Sequence, residues 1–259
     1  MTTVPHLRVL FFDVFGTSVA QRTPVADELS KAAQQALQSN VTISSEARAK
    51  ATKMSYDDWF EFGGVWNQEE AKFRRESLAK YNNIDWRAVD KHRIDVLPKL
   101  LEQRGLGSLW DESQLQHLGR IWHRLTPWSD TCRGLDLLNS KFSTVSLSNS
   151  YYDLLKSLVA HSSIPFTHIY TADLFQSFKP NPKVYLGAAE KMGVKPEECG
   201  LVASHLNDLK GAKACGFYTI YVERPLEEKN PELREENIPD MWIKENEDGL
   251  ITIANRLGI

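Results

Sequence analysis

The sequence predicts an α/β protein in which a doubly wound parallel sheet carries an inserted helical domain. Three observations carry that expectation. The stretch "VLFF" at 9–12 is short and wholly apolar and ends at Asp13 and Gly16, as a strand buried on both faces does. From about 23 to 125 the pattern is helical throughout. After Pro127, short apolar runs alternate with helical segments, the pattern of parallel βαβ units.

Five segments fill the helical stretch: "TPVADELSKAAQQAL", "SEARAKATKMSYDDWFEF", "NQEEAKFRRESLAKY", "DWRAVDKHRIDVLPKLLEQRG" and "DESQLQHLGRIWHRL". Thr23, Asp85 and Asp111 are of the type that caps a helix N-terminus, because a short side-chain oxygen can accept from an orphan N–H of the first turn. Trp59, Trp66, Trp86, Trp110 and Trp122 are spread through these segments and are expected to fill a helical core. Beyond Pro127, "FSTVSL" (142–147) precedes a helix at 151–160, and "FTHIYT" (166–171) precedes one at 182–192. "CGLVAS" (199–204) precedes one at about 207–215, and "YTIYV" (218–222) follows Gly216. Asn181–Pro182 has the form of an N-cap with proline at the first helical position, and Gly193 and Gly216 sit where helices stop. The first strand is expected to join the same sheet. The result is a Rossmann-like core of 1–20 and 128–259, with a helical cap, 21–127, inserted after strand one. From Glu223 the tail is expected to be a solvated, charged loop ("ERPLEEKNPELREEN") followed by a short helix ("GLITIANRL").

Composition narrows the function classes. With 259 residues, 42% hydrophobic and 25% charged, the chain has ample core for a large domain with an insertion. A net charge of -3 gives no general attraction to nucleic acid or to an anionic membrane. No apolar run is long enough to span a bilayer, and no basic segment followed by an apolar one opens the sequence. Cys132, Cys199 and Cys215 form no CxxC pair; an odd, scattered set suits a reducing compartment, so the expected address is the cytoplasm.

In an open parallel sheet, ligands bind beyond the carboxyl ends of the strands. Strand one ends in Asp13 and the strand at 142–147 in Ser148–Asn149. The loop after 166–171 delivers Lys179, and the strand at 199–204 leads to His205 and Asp208. Taken singly, strand-end Asp, Ser and Asn are common caps and turn formers, and a lysine is usually at the surface. Four such residues at equivalent points of successive units make a set. Asp13 is a candidate nucleophile or metal ligand, and Lys179 beside it would favour its ionised form. Ser148 and Asn149, with backbone N–H groups at a helix start, suit an anionic group of a substrate. Asp208 suits anchoring Lys179 or positioning a water.

These residues, in this order, resemble the haloacid dehalogenase superfamily: "FFDVFGT" matches its first motif, "SLSNS" its second, "SFKPNPKVY" its third and "LVASHLNDLKGAKACGF" its fourth. Most members are magnesium-dependent phosphatases or phosphotransferases. That chemistry needs a second Asp two residues after the nucleophile for proton transfer, and an acid in the fourth motif to hold the metal. Here those positions are Phe15 and, in place of Gly-Asp, Ala203–Ser204. What remains suits a leaving group that needs no proton, such as halide, and the sequence resembles the (S)-2-haloacid dehalogenase subfamily.

The resemblance implies that Asp13 attacks C2 of a small-molecule 2-haloacid substrate, forming an aspartyl ester that water then hydrolyses, with no cofactor and no metal. It assigns Thr17 a supporting hydrogen bond, Ser148 the substrate carboxylate and Asn149 the departing halide. Lys179 and Asp208 would flank the nucleophile and the hydrolytic water, and Tyr185 matches a tyrosine of the family's site. Neither nucleic acid nor a membrane is an expected partner; similar dehalogenases are often dimers, so a homodimer is compatible. Three features depart from the pattern. The usual Ser is Ala203, and the usual Asn two residues on is His205, which would orient or deprotonate the ester-cleaving water or else simply be satisfied in the strand-end loop. The halide- or carboxylate-binding arginine has no fixed match; Arg22 is the candidate, against the alternative of a surface arginine at the cap hinge. Phe60 or Trp59 is the candidate aromatic for desolvating the halide. Two alternatives stay open: a divergent magnesium-dependent phosphatase, and a non-catalytic relative that keeps the fold as a binding module.

Overall fold

A computed structural model describes residues 6–39, 42–81 and 85–259, apart from the Leu78 and Tyr81 side chains. After β1 (Val9–Phe12) come five helices: α1 (Arg22–Gln38), α2 (Ser45–Lys53), α3 (Tyr56–Tyr81), α4 (Trp86–Gln103) and α5 (Glu112–Gly119). A 3-10 turn (Ile121–Arg124) leads to α6 (Thr131–Leu138), β2 (Ser143–Ser148), α7 (Tyr152–Ser162), β3 (His168–Thr171), α8 (Ala172–Phe175) and α9 (Pro182–Lys191). The chain ends with β4 (Cys199–Ala203), α10 (Leu206–Ala214), β5 (Tyr218–Val222), β6 (Met241–Ile243) and α11 (Gly249–Arg256). It divides into two compact units, Met1–Gln21 with Thr126–Ile259 and Arg22–Leu125.

The first unit is built on a parallel sheet of order β3-β2-β1-β4-β5-β6. Parallel neighbours need crossovers, and helices on the two faces supply them, so the strands are buried on both sides. That is why β1 is an unbroken apolar run: Phe11 stacks on Phe217 at 5.7 Å in the cluster containing Val145, Tyr185 and Leu201, while Phe12 meets Phe166. Each fully buried side chain of this size stabilises the fold by roughly 1.5–3 kcal/mol. In register, Phe12 lies between Ser146 and Val202, and the Asp13 N–H extends the ladder by donating to Val202 O at 3.0 Å. β1 also stands where the strand order reverses, so Asp13 emerges at the switch point of the sheet.

The helical unit has its own core. Trp66 meets Trp122 edge-on at 4.7 Å, Trp59 packs on Phe62 and Trp110, and Trp86 is buried as well. Asp85 and Asp111 cap α4 and α5, Asp111 in a reciprocal capping box with Gln114. No helix among the described residues is long and apolar enough to cross a membrane.

The structure corrects several expectations. Thr23 caps nothing, because α1 already begins at Arg22. The segment "SEARAKATKMSYDDWFEF" breaks at 54–55 into α2 and the start of α3, whereas α3 runs straight through Gly63–Gly64. Gly63 is there for close approach: a Cβ on it would stand 3.0 Å from Val25 Cγ1 on α1. The tail is not a wholly solvated loop. It contains β6, a strand too short to show a period in sequence, and it buries Arg224 and Glu227. Glu227 Oε1 accepts from Gln21 N–H at 2.9 Å, a partner remote in sequence that charge patterning cannot reveal.

Candidate active site

After Asp13 the chain turns back on itself. The N–H groups of Thr17, Ser18 and Val19 all donate to Val14 O, and Gly16 N–H donates to Val19 O at 2.8 Å. The turn requires φ +90° at Gly16, which an L side chain rarely adopts, and it places Thr17 beneath the carboxylate. Thr17 Oγ1 donates to Asp13 Oδ2 at 3.0 Å and accepts from Ser204 N–H at 2.9 Å.

Lys179, from the loop after α8, donates to Asp13 Oδ1 at 3.0 Å and also to Asp208 Oδ2 on α10. Its stem is almost fully buried, so one ammonium bridges two carboxylates inside the protein. Asn149 holds the Lys179 backbone: its Oδ1 accepts from Lys179 N–H at 2.7 Å and its Nδ2 donates to Lys179 O at 3.0 Å. On α9, the buried Tyr185 donates its hydroxyl to Asp208 Oδ1 at 2.7 Å. His205, preceding α10, places Nδ1 2.9 Å from Asp13 Oδ2; its Nε2 is buried and has no hydrogen-bond partner among the described residues. The Ser148 hydroxyl, at the end of β2, is likewise buried without a partner among them.

The electrostatics follow from this arrangement. Burial alone would raise the Asp13 pKa, but the Lys179 charge and the His205 hydrogen bond and charge outweigh it and hold the carboxyl well below the usual range. Burial and the charge of Asp13 push Asp208 up against the pull of Lys179. Burial would lower Lys179, yet the two carboxylates raise it. His205 follows the same logic: burial lowers it, and the bond to Asp13 raises it further than burial takes away. Asp13 is thus the firmly ionised acid of the cluster. Burial and then the charge of Asp208 push the Tyr185 phenol far up, so it remains a neutral donor.

Asp13, Thr17, Lys179, His205, Asp208 and Tyr185 form one hydrogen-bonded cluster, with Asn149 joined to it through Lys179. Thr17 and Tyr185 are fully buried, with their hydroxyls on Asp13 and Asp208 respectively. Arg22 opens α1 in the helical unit, with its guanidinium 4.3 Å from the centre of the Phe60 ring. Trp59 is buried in the helical core against Phe62 and Trp110. Sequence reasoning passed over Ser18, whose hydroxyl donates to Asp13 O at 2.9 Å, and Arg224 at the end of β5. The rule that drew attention to Asp13 and His205, chemistry at a strand end, applies to β5 too; the charge run around Arg224 concealed it.

The residues present do not suit a divalent cation. Lys179 already fills the cationic position between the two carboxylates, Phe15 offers no carboxylate, and Ser204 turns its hydroxyl away to Val222 O at 2.6 Å. Among the described residues no group of three or more His, Cys, Asp or Glu side chains could hold a metal ion.

The strand order leaves the function open, but the family model for haloacid dehalogenase-like hydrolases matches residues 7–216. The chain belongs to that family. It is 32% identical over 181 residues to the (S)-2-haloacid dehalogenase of Xanthobacter autotrophicus, 68% of each chain. A crystal structure of an L-2-haloacid dehalogenase matches with a TM-score of 0.72 at 28% identity, covering 97% of this chain and 100% of the other. A defluorinating L-2-haloacid dehalogenase gives 0.73 at 25% identity, covering 98% and 96%.

Proposed function

We propose that the protein converts short (S)-2-haloalkanoic acids to (R)-2-hydroxy acids and halide, through an ester on Asp13 and without a metal. One observation carries the reading: a buried aspartate held ionised by an ammonium and an imidazole, where a phosphatase would need a second acid and a metal. The family membership and the (S)-2-haloacid dehalogenase relatives support the same reaction.

In the first step a carboxylate oxygen of Asp13 bonds to C2 from the face opposite the halogen. The C2–halogen bond breaks, halide leaves with the electron pair, and C2 inverts. Alignment of the two reactants supplies much of the acceleration, since effective molarities reach roughly 10⁵–10⁸ M. The buried Ser148 hydroxyl, unpartnered among the described residues, is the donor for the substrate carboxylate. Arg22 is the candidate second cation for that carboxylate or for the halide, with Phe60 beside it.

Water then adds to the Asp13 carbonyl carbon, and the acyl–oxygen bond to the product breaks. One water proton ends on the product hydroxyl and the other leaves to solvent; Asp13 is regenerated carrying the water oxygen. His205 is the base assigned to this step. Ester formation removes the Asp13 charge, which is what raises the imidazole pKa; burial, which lowers it, then prevails. In the tautomer that carries its proton on Nε2, the neutral ring leaves Nδ1, the nitrogen facing Asp13, as the acceptor for the water proton. Lys179 stays between Asp13 and Asp208 throughout, and Asn149 acts by holding it in place.

Halide release from (S)-2-chloropropionate, unchanged by chelator and abolished by Asp13→Ala, is the expected result. A single turnover in ¹⁸O-water with excess protein should place label in the Asp13 side chain, read by peptide mass. Label found only in the product would mean direct attack by water and would overturn the ester.

A further inference from the structure

The turn that carries the nucleophile is gripped from outside at three successive carbonyls. Gly16 O accepts from Trp128 Nε1 at 3.2 Å, and Thr17 O accepts from Arg224 Nε at 3.1 Å. Ser18 O accepts from Thr131 Oγ1 at 2.8 Å and from Trp128 N–H at 3.2 Å. Arg224 is the centre of this grip. Its two terminal nitrogens bind Asp130 as a fork, at 2.6 and 2.8 Å, and Asp130 Oδ2 also accepts from Leu250 N–H at 2.7 Å. Both side chains are buried, and the guanidinium carbon lies 5.2 Å from the Trp128 ring centre.

We propose that Arg224, locked by Asp130, is a positioning residue that fixes the orientation of the Asp13 carboxylate through Thr17. The proposal rests on Asp13 being the nucleophile. A planar fork bound at two points has a single direction left for Nε–H, and that direction is the Thr17 carbonyl. With its carbonyl fixed, Thr17 presents its hydroxyl to Asp13 Oδ2 and takes the Ser204 N–H on the same oxygen. The carboxylate plane is thereby set before substrate arrives, which is what an in-line displacement requires. A purely structural salt bridge would be replaceable by uncharged residues with little loss, because burying the pair costs about as much as its attraction returns. The bond to Thr17 O would not survive that replacement.

The test uses the double variant Arg224→Met/Asp130→Asn, in which no buried charge is left unpaired and the new amide can still accept from Leu250 N–H. Two readouts are followed: the NMR titration of His205, which senses Asp13 Oδ2 at hydrogen-bond distance, and the rate of the halide burst from (S)-2-chloropropionate. The expected result is a folded protein whose His205 titrates lower than in the parent and whose burst slows roughly 10- to 100-fold with KM little changed. A folded double variant with the parent's titration and burst rate overturns the proposal. Should that variant not fold, Arg224→Lys is read in the same way, since an ammonium can pair with Asp130 but lacks the fork that reaches Thr17. If the parent protein itself releases no halide, the nucleophile reading fails, while the His205 titration still decides whether Arg224 sets the carboxylate.

Discussion

His205 Nδ1 lies 2.9 Å from Asp13 Oδ2, so each group sets the charge of the other. His205 is raised above 6.5 in the fold, chiefly by this contact acting against burial. Its contribution to stability is therefore complete below about pH 6.5 and is lost as pH rises through the folded value. Asp13 is depressed below 3.8, so its contribution is present above that value and lost as pH falls through the folded one. Asp13→Asn removes the charge and leaves burial to dominate. The His205 titration, followed by NMR, should fall below that of the parent, and the loss of stability above neutral pH, followed by urea unfolding, should disappear. An unmoved titration would mean the two groups are not in contact in solution.

Lys179 pairs with both Asp13 and Asp208. Lys179→Met leaves two buried carboxylates facing each other, and the expected cost is about 3–5 kcal/mol in urea unfolding. One of the two acids must then take a proton at neutral pH, with Asp208, already raised, the first to do so. Adding Asp208→Asn in the same background should recover much of the stability but not the activity, because Asp13 still lacks its ammonium. Recovery of turnover by the second change would assign Lys179 to the fold alone.

Most of the architecture was legible because it is written in periodicity. The wholly apolar β1, the βαβ alternation after Pro127 and the Asn181–Pro182 cap each correspond to what the chain does. Strand ends are equally readable, and they brought Asp13, Lys179, His205 and Asp208 into view. What sequence could not show is where polar side chains find partners. Only the fold shows that the His205 Nδ1 meets Asp13. Asn149 is occupied with the Lys179 backbone, and Arg224 and Glu227 are buried by contacts with residues about 200 positions away. Such pairings depend on tertiary geometry and leave no local pattern.

Gly16 joins backbone strain to the site. At φ +90° a Cβ would stand 2.9 Å from Glu227 Oε2 and 3.0 Å from His205 Cε1. Gly16→Ala is expected to cost about 1–3 kcal/mol from the backbone alone and to push the imidazole off Asp13. Thermal unfolding should register the first effect. A lowered His205 titration in the folded variant should register the second, and an unshifted one would mean that Glu227 gives way instead.

His205→Gln should separate the two half-reactions. Alkylation needs an ionised Asp13, and Lys179 and Thr17 remain to hold it so; ester hydrolysis loses its base. General acid–base catalysis by a placed side chain is worth roughly 10²–10⁴-fold, so the slow step should become hydrolysis by about that factor. Rapid mixing with (S)-2-chloropropionate should then give a burst of one halide per active site followed by slow turnover. Digestion after the burst should recover the Asp13 peptide heavier by the bound acyl chain. If turnover falls with no burst and no adduct, His205 acts before the carbon–halogen bond breaks, and the division of labour between imidazole and carboxylate drawn from their contact would have to be reversed.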